Sequence, residues 1–284
     1  MAGSNFEMTM EIELFLNIKE GELSKNSVVQ YITTFKKFFS YCNKPIAQIK
    51  YHDVLEWLET YSKGKSDRTI ICRLSNLMCF FQFCLNQKMI TKIPIKKDWI
   101  PSVPDSLPKF MTESEYTKVM RVVDNLPLRD KTMLSFFYYT GIRCSELRNT
   151  TEKDINLDDR TLTVTGKGNK QRDVDFNDVC KYLFKKLHPI RNGQNDVAFE
   201  SKYGGKISSR HIRRIVAKVG KTAGLDNNLS PHIFRHTYCY ILINKDADIN
   251  FIATEMGHAD INTTKVYYRL QLSRLKEVYL KCMG

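Results

Sequence analysis

The sequence predicts a mainly α-helical protein with one small antiparallel β-sheet: an all-helical N-terminal domain followed by an α+β domain. Three observations predict it. Apolar residues recur at helical spacing along most of the 284-residue chain. Strict alternation, the mark of a half-buried strand, is confined to T-L-T-V-T at 161–165, the turn residues G-K-G-N-K and a return at 172–176. Pro94, Pro101, Pro104 and Pro108 crowd the stretch 91–108, which no helix or inner strand can cross. The boundary falls there, giving domains at 1–98 and 107–284.

The N-terminal helices follow from their apolar stripes. Ile12, Leu14 and Phe15 mark a helix over 8–20. Ser27 is the expected cap of a second, running to 41 through Val28, Tyr31, Ile32, Phe35, Phe38 and Phe39. A short helix at 52–61 and a long one at 67–86 complete the set, the latter carrying Leu74, Leu77, Met78, Phe81 and Leu85. Such stripes read as core.

Beyond the prolines, Thr112 and Glu115 form a T-x-x-E capping box that opens a helix to about 123. A strongly apolar helix at 128–140 ends at Gly141. Further helices are expected at 178–187, 208–223 and 232–243, and a last one over 263–281. Gly257 reads as another helix C-cap.

Charge narrows the partner. Lys and Arg number 44 against 31 Asp and Glu, a net charge of +13, and both domains are basic. A polyanion is the natural partner of such a chain. Candidate DNA contacts are Lys36, Lys37, Lys65, Arg68 and Arg73 in the first domain. In the second they are Lys170 and Arg172 on the hairpin and Arg210, Arg213 and Arg214 on a helix. An ordinary solvated face would account for each of these charges singly.

The eight cysteines form no C-x-x-C pair and no zinc-like spacing, so they read as reduced thiols. No signal peptide is expected, and no apolar run of membrane-spanning length. The hairpin tip lacks the full G-x-x-x-x-G-K-[ST] pattern, so no nucleotide site is read there.

The chemistry-bearing residues gather near the end of the chain. His232 and Arg235 lie three apart in S-P-H-I-F-R-H-T, on one face of a helix. His258 follows Gly257, and Tyr267 comes about one loop and one helical turn later. Arg143 and Glu146 stand in T-G-I-R-C-S-E, just past an apolar helix. An exposed Arg–Glu pair has little energetic value, but one placed at the end of a buried helix suggests a shaped site. Cations, a histidine and a tyrosine suit a phosphodiester, whose displacement spreads negative charge over non-bridging oxygens.

In order, R…E, G-K-G-N-K-x-R, H-x-x-R-H, G-H and Y, the chain closely resembles the tyrosine recombinase (phage integrase) family, of the Xer-like or transposon-encoded resolvase type. The resemblance covers nearly the whole chain, with its motifs between about 107 and the end. It implies that Arg143, Lys167, His232, Arg235, His258 and Tyr267 are catalytic and that Glu146 supports Arg143. Tyr268 adjoins the nucleophile, but the spacing from His258 selects Tyr267. It further implies a SAM-like N-terminal domain that clamps DNA opposite the catalytic domain. The partner would be double-stranded DNA with paired inverted recognition motifs, bound by a homotetramer, with accessory proteins allowed and no membrane. No metal or other cofactor is expected, and the implied location is the bacterial cytoplasm, at the nucleoid. Met256 where Leu is usual, Asp175 where Pro is common, and Cys144 beside the arginine are departures that remove no catalytic group.

Two other classes compete with this reading. A metal-dependent nuclease could use Asp158, Asp159, Asp173 and Asp175, but these sit at turns and strand edges without a matching third group. His232 and His236 are four apart yet lack the H-E-x-x-H pattern. A non-catalytic helical DNA-binding regulator of a mobile element explains the charge, but gives no reason for Tyr267, Lys167 and two arginine motifs together.

Overall fold

A computed structural model of the chain describes residues 8–21, 23–101, 108–190 and 196–257. The chain divides into two compact units, Met1–Asp105 and Ser106–Gly284.

The first unit is helical: α1 (Met10–Glu20), α2 (Lys25–Phe39), α3 (Tyr51–Ser62) and α4 (Asp67–Asn86). Its core is aromatic. Phe15, Phe35, Phe38, Phe80 and Phe81 are fully buried. Phe80 meets Phe35 at 4.8 Å and Phe15 at 5.5 Å between ring centroids, within the range where edge and tilted aromatic pairs attract. The expected cap Ser27 is corrected to Ser24, whose hydroxyl accepts from the Ser27 N–H at 3.1 Å. The helix begins one turn earlier because a serine at that point can satisfy an orphan donor.

The 20-residue α4, with a mean hydropathy of 1.2 in its most apolar window, has the length and composition of a membrane span, contrary to the sequence expectation. Here its Leu74, Leu77, Phe80, Phe81 and Cys84 line the core of the unit.

The second unit is built around α6 (Leu128–Thr140). Met133, Leu134, Phe136 and Phe137 are buried on it, and so are Thr132, Ser135 and Thr140. The three hydroxyls donate back to the carbonyls of Leu128, Lys131 and Phe136, so these polar groups are buried without an unmet donor. α5 (Glu113–Asp124) opens on the expected box: the Thr112 hydroxyl accepts from Glu115 N–H and the Glu115 carboxylate from Thr112 N–H. α8 (Asp178–Leu187) and α10 (Pro231–Asn244) pack against α6. α7 (Cys144–Asn149), α9 (Ser209–Thr222) and α11 (Ile249–Met256) complete the α-helices among the described residues.

The sheet has three antiparallel strands in the order β1 (Ile155–Asn156), β2 (Thr161–Thr165), β3 (Gln171–Asp175). Val164 pairs with Arg172 and Leu162 with Val174. Leu162, Val164 and Val174 are buried, so this face of the hairpin looks inward. The connecting turn closes with Gly166 N–H donating to the Lys170 carbonyl at 2.8 Å. Gly168 there has φ +75°, a conformation that costs glycine nothing.

Candidate active site

Gly141 ends α6 in the left-handed conformation, with φ +60°. A Cβ at this position would lie 2.5 Å from Cδ1 of Tyr238, so both conformation and space require glycine. The turn delivers Arg143 to the N-cap of α7, three residues before Glu146.

Glu146 is the buried anion of the site, with 1% of its side chain exposed. Its carboxylate accepts four hydrogen bonds. Arg143 donates its backbone N–H to Oε2 and its Nη1 to Oε1, each at 2.8 Å. Arg172 donates Nη1 to Oε1 at 2.9 Å and Nη2 to Oε2 at 3.1 Å, a fork-on-fork pair. Burial alone would raise the carboxyl pKa. The Arg172 and Arg143 bonds overcome it and hold the group down to about 2.

Arg235, only 5% exposed, lies on α10 one turn after His232. Its Nη1 donates to the Gly141 carbonyl at 2.8 Å, and its Nη2 to the Met256 carbonyl. Arg143 sends Nη2 to the next carbonyl, that of Gly257, at 2.8 Å. Arg172 sends Nε to the preceding one, that of Glu255, also at 2.8 Å. Three consecutive carbonyls at the end of α11 therefore receive three guanidiniums. A helix C-terminus leaves its last carbonyls unpaired and carries partial negative charge, so cations belong there. Gly257 has φ +58° and closes the helix in the left-handed form expected of a C-cap.

Arg143 keeps 30% of its side chain exposed, leaving an edge of the guanidinium open to a ligand. His232 lies on the exposed side of the first turn of α10, which Ser230 caps. Partial burial, then the cations Arg235, Arg213 and Arg143, push its pKa below the ordinary histidine value. His236, one turn on, is pushed down to about 4 by burial, His232 and Arg235. A neutral histidine beside fixed cations can accept a proton.

Lys167 lies in the turn between β2 and β3. His258, Tyr267 and the last expected helix fall outside the described residues. Lys36, Lys37, Lys65, Arg68, Lys170, Arg210, Arg213 and Arg214 are exposed.

Two residues of the expected DNA-facing set are placed differently. Arg73 is partly buried, its Nη1 donating to the Gln30 carbonyl and the Thr34 hydroxyl, each at 3.0 Å. Arg172 turns inward, 13% exposed, and is spent on Glu146 and Glu255. The signal for it was in the strand period. Arg172, Val174 and Phe176 alternate, which sets the arginine on the face of two core residues. Two carboxylates of the metal-dependent reading have local partners: Asp159 accepts from Asn156 at 2.7 Å and Asp173 from Thr163 at 2.6 Å.

A pair of arginines braced on one helix end, in a helical unit with a small sheet, is the arrangement expected of a DNA strand-transfer enzyme. The chain belongs to the phage integrase family of tyrosine recombinases, which cleave and rejoin DNA strands in site-specific recombination: residues 109–274 match the phage integrase family and residues 12–88 its N-terminal SAM-like domain. It is 30% identical to the tyrosine recombinase XerC of Anoxybacillus flavithermus, over 99% of this chain and 98% of that protein. To the tyrosine recombinase XerD of Pasteurella multocida it is 29% identical, over 94% of this chain and 96% of that one. In fold it is similar to the XerH site-specific recombinase bound to palindromic difH substrate, with a TM-score of 0.78 and 20% identity over 98% of this chain and 90% of that one.

Proposed function

We propose that this recombinase breaks a DNA strand with Tyr267 and keeps the broken end as a 3′-phosphotyrosyl ester. The phenolic oxygen bonds to phosphorus as the bond from phosphorus to the 5′-oxygen breaks. His232 takes the phenol proton, and Lys167 gives one to the departing 5′-oxygen. Arg143 and Arg235 hold the non-bridging oxygens, with a hydrogen bond from His258. Glu146 fixes Arg143. The ester conserves the bond energy, so rejoining needs no nucleotide. The segment 1–98 serves as the second half of a clamp on DNA and 107–284 as the catalytic half.

Two such exchanges, passing through a Holliday junction, join two DNA sites in a homotetramer, each site with paired inverted motifs. The relatives' Xer character and the basic charge suit a bacterial cytoplasmic enzyme that resolves transposon cointegrates or integrates and excises a mobile element. The observation that carries this reading is the bracing of Arg143 and Arg235 on adjacent carbonyls, which presets two cations for one anionic group. The test is incubation with DNA from the protein's own genetic neighbourhood in the presence of a divalent-metal chelator. A detergent-resistant protein–DNA adduct is the expected product. Cleavage that requires added metal would instead favour the nuclease, and binding without an adduct the regulator.

A further inference from the structure

We propose that Arg172 is a positioning residue for strand cleavage, acting through Glu146 on Arg143. This rests on the role proposed above for Arg143. Three observations carry it. First, the Arg172 guanidinium binds both carboxylate oxygens of Glu146, at 2.9 and 3.1 Å, while Arg143 takes only one of them with its side chain. Arg172 thus fixes the plane of the carboxylate, and the carboxylate fixes Arg143. Second, the Nε of Arg172 reaches the Glu255 carbonyl at 2.8 Å, two residues from the Gly257 carbonyl that receives Arg143. Third, the base of the hairpin that carries Lys167 sits over this pair. A Cβ on Gly166 would lie 3.7 Å from Glu146 Oε1 and 3.8 Å from Arg172 Nη1. A Cβ on Gly257 would come to 2.8 Å from that same Nη1.

One planar group therefore ties together the hairpin, the turn bearing Arg143 and the end of α11. Lysine cannot do this. Its ammonium is a single point charge and cannot hold two carboxylate oxygens in one plane and a backbone carbonyl as well. Misplacement of a reacting or stabilising group by about 1 Å costs on the order of 100-fold in rate. The Arg172 side chain is only 13% exposed and its guanidinium is turned onto Glu146 and Glu255, so this loss is one of geometry and not of a DNA contact.

The experiment measures half-site binding at several salt concentrations and single-turnover cleavage of a suicide substrate, on the full chain. Arg172→Lys and Arg172→Ala are compared with the native enzyme, Tyr267→Phe, Glu146→Gln and the double variant R172K/E146Q. The native adduct and its loss in Tyr267→Phe verify the underlying reading; their failure would sink that reading itself. With the adduct present, Arg172→Lys should bind with an unchanged salt slope and cleave on the order of 100-fold more slowly. Its cleavage should also fall off at higher pH on the acid side than the native enzyme's, because Glu146 loses the partner that keeps it ionised. In the Glu146→Gln background the same change should cost less than about threefold, since both act through one linkage. If Arg172→Ala does not fold, Arg172→Lys carries the test, keeping the charge and the aliphatic stem. A reduced salt slope with native cleavage of bound DNA would overturn the proposal in favour of a phosphate contact. So would a fully additive loss in the double variant, or native cleavage by Arg172→Lys.

Discussion

Arg235 donates to the carbonyl of Gly141 at 2.8 Å, so the second arginine motif holds the turn that presents the first. Gly141 and Arg235 lie 94 residues apart in the chain, and the two motifs form one mechanical unit. Either arginine is displaced if that turn is disturbed.

Gly141→Ala is therefore expected to damage both stability and cleavage. Its φ of +60° and the 2.5 Å approach to Tyr238 combine a left-handed penalty with overpacking, together about 2–4 kcal/mol. Gly257→Ala shares the positive φ but meets the guanidinium of Arg172, the end of a long side chain that can shift at the expense of its hydrogen bonds, in place of a ring. It should cost only about 1–2 kcal/mol while still slowing cleavage. Urea unfolding of the two variants checks the order.

Glu146 makes stability depend on acid. Its carboxyl is held at about 2 in the folded chain against an ordinary 4.5. A depressed carboxyl pKa stabilises the fold above the unfolded value, and that contribution is lost as pH falls from about 4.5 toward 2. The loss is on the order of 3 kcal/mol. Glu146→Gln should remove this slope and be less stable at neutral pH by about 3 kcal/mol, because two guanidiniums lose their anion. Denaturant midpoints from pH 7 down to 3 measure both effects.

The histidines act in a higher window. His236 is depressed to about 4 from 6.5, chiefly by burial. The unfolded chain then binds the proton first, so stability is complete above pH 6.5 and declines toward pH 4. His236→Gln should flatten that decline and leave the lower Glu146 step in place. His232, also depressed, stays neutral as pH drops below the usual histidine value, so cleavage should persist there. A cleavage rate that already falls at the ordinary histidine pKa would contradict a neutral His232.

Much of this architecture was legible in the sequence, for physical reasons that differ between elements. The ends of α4, α6, α8 and β2 match the expected ranges because periodicity and capping or turn residues agree there. α7 has six residues and β1 two, too short for any period to register. α11 announced only its end, through Gly257. The cap of α2 differs from the expectation because Ser24 and Ser27 both have the chemistry, and only the backbone decides. Within the site, the Arg143–Glu146 spacing was visible and its second arginine was not. Arg172 stands among the hairpin's exposed cations in the sequence, but strand parity sets it inward. The three carbonyls of Glu255, Met256 and Gly257 were invisible in principle, since any residue supplies a carbonyl.

The basic residues of the first unit separate into two kinds. Arg73→Ala should lower stability by about 1–3 kcal/mol, because its guanidinium bonds Gln30 and Thr34 across two helices. The salt dependence of DNA binding should not change. Lys36→Ala and Lys37→Ala, both at exposed positions, should do the reverse. Each lost phosphate contact lowers the slope of log affinity against log salt by about 0.9. Gel shifts at a series of salt concentrations distinguish the two.

The identity of the nucleophile is the centre of the account, and peptide mapping of the covalent adduct tests it most directly. The DNA-bound peptide is predicted to carry its modification on Tyr267, and Tyr267→Phe to form no adduct while binding DNA with native affinity. An adduct that survives Tyr267→Phe, or a modification mapped to Tyr268 and abolished only by Tyr268→Phe, would contradict it.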